Sequence, residues 1–80
     1  MIDKVRKIIH EHGRLGEDAM SFAEDGDLYR AGMTSHASVN VMLALEGEFD
    51  IEFPDAMLKR SVFQSMASIR DAVASLVEKT

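Results

Sequence analysis

The sequence predicts an all-α fold: four helices in one bundle, with a long connection between the first two and a short third helix. Apolar residues recur at three- and four-residue spacing, and almost nowhere do they alternate as a strand requires. Gly13 and Pro54 stand where helices should stop and start. A chain of 80 residues with 46% apolar content is near the lower limit for a core that needs no staples. Residues 1–80 are therefore read as a single domain, without repeat, linker or low-complexity tract.

Ile2, Val5, Ile9 and Ile8 make the apolar face of a first helix running from Ile2 to Gly13. The connection "RLGEDAMSFAEDGDLYRAGMT" is longer than an ordinary link between helices, so it should cross the bundle and anchor itself through Leu15, Met20, Phe22, Leu28, Tyr29 and Met33. A second helix is expected over Ser35–Glu48, with Val39, Met42, Leu43 and Leu45 toward the core and Val41 to one side. Gly47 should fray its end, at a cost of about 1 kcal/mol relative to Ala. Pro54 then opens a short third helix through "DAMLKR", where Met57 and Leu58 are expected to close the bundle. The last helix is capped by Ser65 and carries Met66, Ile69, Val73, Leu76 and Val77 on one stripe.

Composition excludes several function classes. The chain has no cysteine, so any sulfur chemistry must come from an added group. A net charge of −5 argues against nucleic acid, whose phosphates need clustered Lys and Arg. The acids form two groups, Glu17, Asp18, Glu24, Asp25 and Asp27 before the second helix and Glu46, Glu48, Asp50, Glu52 and Asp55 after it. They are either a solvated face or an attractor for basic partners. No apolar run approaches the roughly 18 residues of a membrane span, and the expectation is a cytoplasmic monomer.

Tempting constellations fail on geometry. His10 and His12 point to different faces of a helix, whereas a helical metal pair needs a spacing of three or four, so no metal site is expected. Ser35 and His36 diverge by about 100° as helical neighbours and have no third group to orient the imidazole, so no catalytic residue is assigned. "EDGD" lacks the later ligands of a calcium loop. Met20, Met42, Met57 and Met66 are expected as core filler, while Met33 lies two residues before Ser35, where it could face a partner.

Thr34, Ser35 and Ser38 cluster at the mouth of the second helix, where capping alone needs one side chain. A hydroxyl there lies beside free N–H groups and the positive end of the helix dipole, an environment that also receives a phosphate ester. Serine is a favoured cap everywhere, so the residues leave two readings open. In one, Ser35 is only a cap in a helical interaction bundle and Ser35→Ala costs about 1 kcal/mol. In the other, Ser35 is an attachment point.

Three separated segments resemble the acyl carrier protein family. "DLYRAGMTSH" supplies Asp27, Leu28, Gly32 and Ser35 in the family's order, "VMLALEGEFDIEFPD" is similar to its second helix and following turn, and "SIRDAV" is similar to the start of its last helix. Thr34 stands in place of the family's aspartate and His36 in place of its leucine. Asn40 occupies a position where fatty-acid carriers often have glutamate. The likeness is therefore to a specialised carrier for polyketide, peptide or aminoacyl chemistry rather than to the housekeeping one.

The resemblance implies a bundle of acyl-carrier type with 4′-phosphopantetheine, supplied by coenzyme A, on Ser35. A phosphopantetheinyl transferase with magnesium would attach it. A loading ligase and downstream acyl-transfer enzymes would be the other partners. The arm would hold acyl or aminoacyl groups as thioesters, the chain itself would catalyse nothing, and Met33, Thr34, His36, Val39 and Met42 would form the docking face.

Overall fold

The computed structural model describes residues 1–16 and 18–78. Four α-helices lie among them: α1 (Ile2–His12), α2 (Ser35–Phe49), α3 (Arg60–Phe63) and α4 (Met66–Glu78). A 3-10 turn, Asp55–Met57, precedes α3. The molecule measures 34 × 22 × 19 Å. Helix α1 packs against α2 and α4, and α3 packs against α4.

Helix α1 buries Val5, Ile8 and Ile9, the stripe that its periodicity predicts. It stops at Gly13, whose N–H donates to the Ile9 carbonyl at 2.8 Å. Left-handed backbone is not what requires glycine there, because Gly13 has φ −75°. A Cβ at Gly13 would lie 2.7 Å from the Ile9 carbonyl oxygen, so the chain turns away by close contact. Arg14, the next residue, takes the positive φ of 54°.

The long connection is fastened at both ends of its path. Arg6 reaches from α1 and donates from Nη1 to the carbonyls of Ala19 at 2.9 Å and Phe22 at 2.6 Å, with Met20 at 3.4 Å. On the other side the Leu28 N–H donates to the Gln64 carbonyl at 2.7 Å, and the Ala67 N–H to the Glu24 carbonyl at 2.9 Å. These bonds give the connection's polar backbone the partners that burial demands. Ala19, Leu28, Ala31 and Met33 are buried beneath it, and Leu15, Phe22 and Tyr29 pack partly on the core. Met20, expected inside, is 53% exposed. Glu17 lies outside the described residues.

Helix α2 departs from expectation in its rotation. The buried residues are Ala37, Val41 and Leu45, spaced by four on a single line. Val41, placed to one side by the sequence reading, is fully buried, whereas Val39 and Leu43, assigned to the core, are 49% and 55% exposed. Valine, methionine, leucine and alanine surround this helix almost completely, so the apolar pattern has no phase from which to read a direction.

The third helix is also displaced. "DAMLKR" divides into the turn Asp55–Met57 and an extended Lys59, and α3 begins only at Arg60. Leu58 remains 46% exposed. Phe53 and Phe63 close this end of the bundle, with ring centroids 5.4 Å apart and planes tilted by 55°. Helix α4 follows prediction in its first turns, where Met66, Ile69, Ala72 and Val73 are buried, but Leu76 is only partly buried and Val77, expected on the same stripe, is exposed. Its entry is a reciprocal cap, in which the Ser68 N–H donates to Ser65 Oγ at 3.0 Å and the Ser65 N–H to Ser68 Oγ at 3.1 Å.

Candidate functional site

The approach to α2 is built by a close crossing of the connection on itself. The Gly16 N–H donates to the Ala31 carbonyl at 2.8 Å. A Cβ on Gly32 would lie 3.1 Å from Gly16 nitrogen, and Gly32 has φ +119°. Only glycine meets both conditions without strain. The turn drives Met33 inward, where it is 2% exposed and its N–H donates to the Leu28 carbonyl at 3.0 Å. Met33 is therefore a core residue, and its expected place on a docking face is withdrawn.

Asp27 organises the same segment. Its carboxylate accepts from the Tyr29 N–H at 3.0 Å and the Arg30 N–H at 3.3 Å, an Asx turn that starts the bend leading to Gly32. The motif residues Asp27, Leu28 and Gly32 thus have structural work that positions the helix mouth.

At that mouth the three hydroxyls separate by role. Thr34 is the N-cap, with φ −81° and ψ 166°, and its Oγ1 accepts from the Ala37 N–H at 3.0 Å. Ser38 Oγ donates to the Ser35 carbonyl at 2.7 Å. Ser35, the first residue of α2, is exposed, and among the described residues its hydroxyl has no intramolecular hydrogen bond. The cap, given to Ser35 in the alternative reading, is made by Thr34. His36 is also exposed and forms no hydrogen bond with Ser35 among the described residues.

Ser35 opens onto a cleft of about 290 Å³ between α2 and the segment entering α3. Val39, Met42, Leu58 and Phe63 give it apolar walls, Ser38 and Tyr29 add polar edges, and Lys59 and Arg60 stand at its rim. From Ser35, Val39 and Leu43 continue the exposed line of α2 at four-residue spacing. Leu43 was missed because an all-round apolar helix conceals its outer face. No group of three or more His, Cys, Asp or Glu suited to a metal occurs among the described residues.

Several acids of the two groups already have partners. Glu46 accepts from the Phe53 N–H at 2.8 Å, Glu24 pairs with Arg70 at 3.2 Å, and Glu48 with Lys4 at 3.5 Å. The exposed pairs add little stability. The Glu46 bond fixes the turn that brings Phe53 under α3.

A helical bundle with an unbonded serine at the opening of its second helix is the architecture of a carrier domain. The family model described as "phosphopantetheine attachment site" matches residues 3–76, and the chain belongs to that family. The covalent group of this family is 4′-phosphopantetheine. Ser35 fits such a group: its hydroxyl is uncommitted, it adjoins the first-turn N–H groups of α2, and the cleft beside it has both apolar and polar walls.

Among relatives, the chain is 42% identical over 74 residues to an aminoacyl carrier protein of Agrobacterium fabrum, covering 92% of this chain and 89% of that one. It is 34% identical to an acyl carrier protein of Caulobacter vibrioides, over 100% of this chain and 95% of that one. Among solved structures, it resembles a chain in the crystal structure of an engineered Bradyrhizobium japonicum glycine:[carrier protein] ligase complexed with a carrier protein from Agrobacterium tumefaciens and AMP. That match has a TM-score of 0.89 and 43% identity, covering 92% of this chain and 99% of that one. The fold and the carrier role expected from the sequence both stand.

Proposed function

We propose that this chain carries aminoacyl groups on an arm attached to Ser35 and presents them to partner enzymes in a specialised pathway. One observation carries the assignment of Ser35: Thr34 supplies the helix cap, which leaves the Ser35 hydroxyl exposed and uncommitted. The aminoacyl preference is supported by the similarity to the Agrobacterium aminoacyl carrier and to the structure of the glycine ligase complex.

When bound, the arm supplies a terminal thiol on which cargo is held as a thioester. Loading requires the Ser35 oxygen to bond to the phosphorus bearing phosphopantetheine while the pyrophosphate bond of coenzyme A breaks and adenosine 3′,5′-bisphosphate leaves. The hydroxyl proton passes to a base of the transferase, which works with magnesium, and this chain acts as substrate rather than enzyme. Coenzyme A also makes the cytoplasm the compartment of this reading.

Thr34, His36, Val39 and Met42 surround the serine and form the proposed docking face, extended by Leu43 in place of Met33. Val39 and Leu43 offer apolar contact, and Thr34 puts an uncharged hydroxyl where the family has aspartate while His36 puts an imidazole where it has leucine, which favours a dedicated ligase over general ones. The acidic groups around this face steer basic partner patches toward it.

The test is the intact mass of wild type and Ser35→Ala after incubation with coenzyme A, magnesium and a phosphopantetheinyl transferase. A gain of one phosphopantetheine on wild type alone is expected. A gain on both would move the attachment elsewhere. No gain, repeated with a transferase from the native host, would return Ser35 to a structural role. ATP-dependent charging of the loaded protein by a glycine ligase, compared with fatty-acyl loading, then tests the cargo class.

A further inference from the structure

The rim of the cleft beside Ser35 is the one feature of the site that its role as an attachment point does not use. Lys59 and Arg60 line that cleft together with Ser35 and Ser38. The chain as a whole is acidic, at −5, and its acids lie on both sides of α2. Yet among the described residues neither Lys59 nor Arg60 forms an ion pair, whereas Lys4 and Arg70 do.

Arg60 is also held in place. Its guanidinium carbon lies 4.3 Å from the centroid of the Tyr29 ring, and Tyr29 is another wall of the cleft. Stacking occupies the flat face of the guanidinium and leaves its N–H edge available, the edge that matches phosphate oxygens. Tyr29 is itself fixed by the Asp27 turn. Lys59, extended with φ −138° and ψ 157°, adds a mobile second charge.

We infer that Lys59 and Arg60 bind the phosphodiester formed on Ser35 and so fix the start of the arm at the helix mouth. The inference rests on the attachment to Ser35 proposed above. A phosphodiester keeps one negative charge throughout the physiological range, and the same cleft supplies the Ser38 hydroxyl and apolar walls for the chain beyond it. Charge complementarity identifies the occupant: an anion tethered at Ser35 has these two unpaired cations on the opposite rim. The attraction between partly exposed charges is screened by salt, so the contact must weaken as ionic strength rises.

The experiment compares unloaded and loaded protein by amide and phosphorus NMR, for wild type and for Lys59→Gln/Arg60→Gln, with intact mass recorded on every sample. In wild type, loading is expected to shift the amide signals of residues 58–63 and of Tyr29, and the phosphorus signal should move between low and molar salt. In the double variant, at full loading by mass, those amide shifts and the salt response should be lost while the amide spectrum of the unloaded core stays folded. Full loading of wild type without shifts at residues 58–63, or identical shifts in the variant, would overturn the inference. Failure to load, or loading of Ser35→Ala, would instead overturn the attachment reading, which the mass alone reports. If the double variant fails to fold, Lys59→Gln and Arg60→Gln taken singly give the same comparison, each losing part of the shift.

Discussion

Thr34 and Ser35 are adjacent hydroxyl residues at one helix end, and removing each should have opposite consequences. Thr34→Ala breaks the bond from the Ala37 N–H, which is 3.0 Å long. Thr34 is exposed while Ala37 is buried, so water replaces only part of the bond, and the loss should be about 1 kcal/mol, the typical value for a cap. In a domain of this size that lowers Tm by about 4–8 °C. Ser35→Ala removes a hydroxyl without an intramolecular partner and places alanine, the best helix former, in the first turn. Its effect should stay within about 0.5 kcal/mol. Thermal and urea unfolding followed by far-ultraviolet circular dichroism measures both, and Thr34→Asp, which retains a capping oxygen, serves as control. Mass after the transferase reaction should then show Thr34→Ala loaded and Ser35→Ala not. The reasoning fails if Ser35→Ala is destabilised as much as Thr34→Ala, because Ser35 would then be the cap.

Other substitutions probe the rotation of α2 and the fastening of the connection. Leu45→Ala, at a fully buried site, should cost about 2–5 kcal/mol. Leu43→Ala, at an exposed one, should stay within about 0.5 kcal/mol and instead weaken ligase binding in a titration. Gly47 has open space where a Cβ would go, so Gly47→Ala should raise stability by about 1 kcal/mol in urea melts with loading unchanged. Arg6→Met keeps the aliphatic stem but loses the bonds to three loop carbonyls; a loss of roughly 2 kcal/mol and faster proteolysis within residues 14–33 are expected.

The placement of bases and acids gives the molecule two unlike sides at the helix mouth. Acids that seemed free for partners are partly used inside the fold: Glu46 holds the turn to Phe53, and Asp27 holds the bend before Gly32. Lys59 and Arg60, which form no ion pair among the described residues, stand instead at the cleft rim. For the docking face proposed above, recognition is expected to rest more on the apolar line of Val39 and Leu43 than on the total number of acids.

Much of this was legible in the sequence. Helices α1 and α4 have polar residues opposite an apolar stripe, so their buried faces follow from spacing alone, and Gly13 and Ser65 mark their ends through local geometry. The order Asp27, Leu28, Gly32, Ser35 pointed to the site through its resemblance to the carrier family, and in the structure Asp27 and Gly32 serve the turns that lead to the helix. Rotation and contact across the bundle were not legible. Helix α2 is apolar on nearly every side, so only packing against α1 and α4 decides that Val41 is buried and that Val39 and Leu43 are exposed. Met33 is core because Gly32 crosses Gly16, a meeting of residues distant in the chain. The division of labour between Thr34 and Ser35 depends on where a single turn begins, and adjacent hydroxyls look equivalent in sequence. Lys59 and Arg60 share a cleft with Ser35 because the segment after Pro54 folds back on the bundle, with Phe53 against Phe63. The sequence by itself determined the helices and their order, since those follow from local spacing and turn chemistry, and its resemblance to a known family marked the serine to examine. The tertiary structure decided which faces are buried, which hydroxyl is free and what surrounds it, since those are contacts between segments that no local pattern encodes.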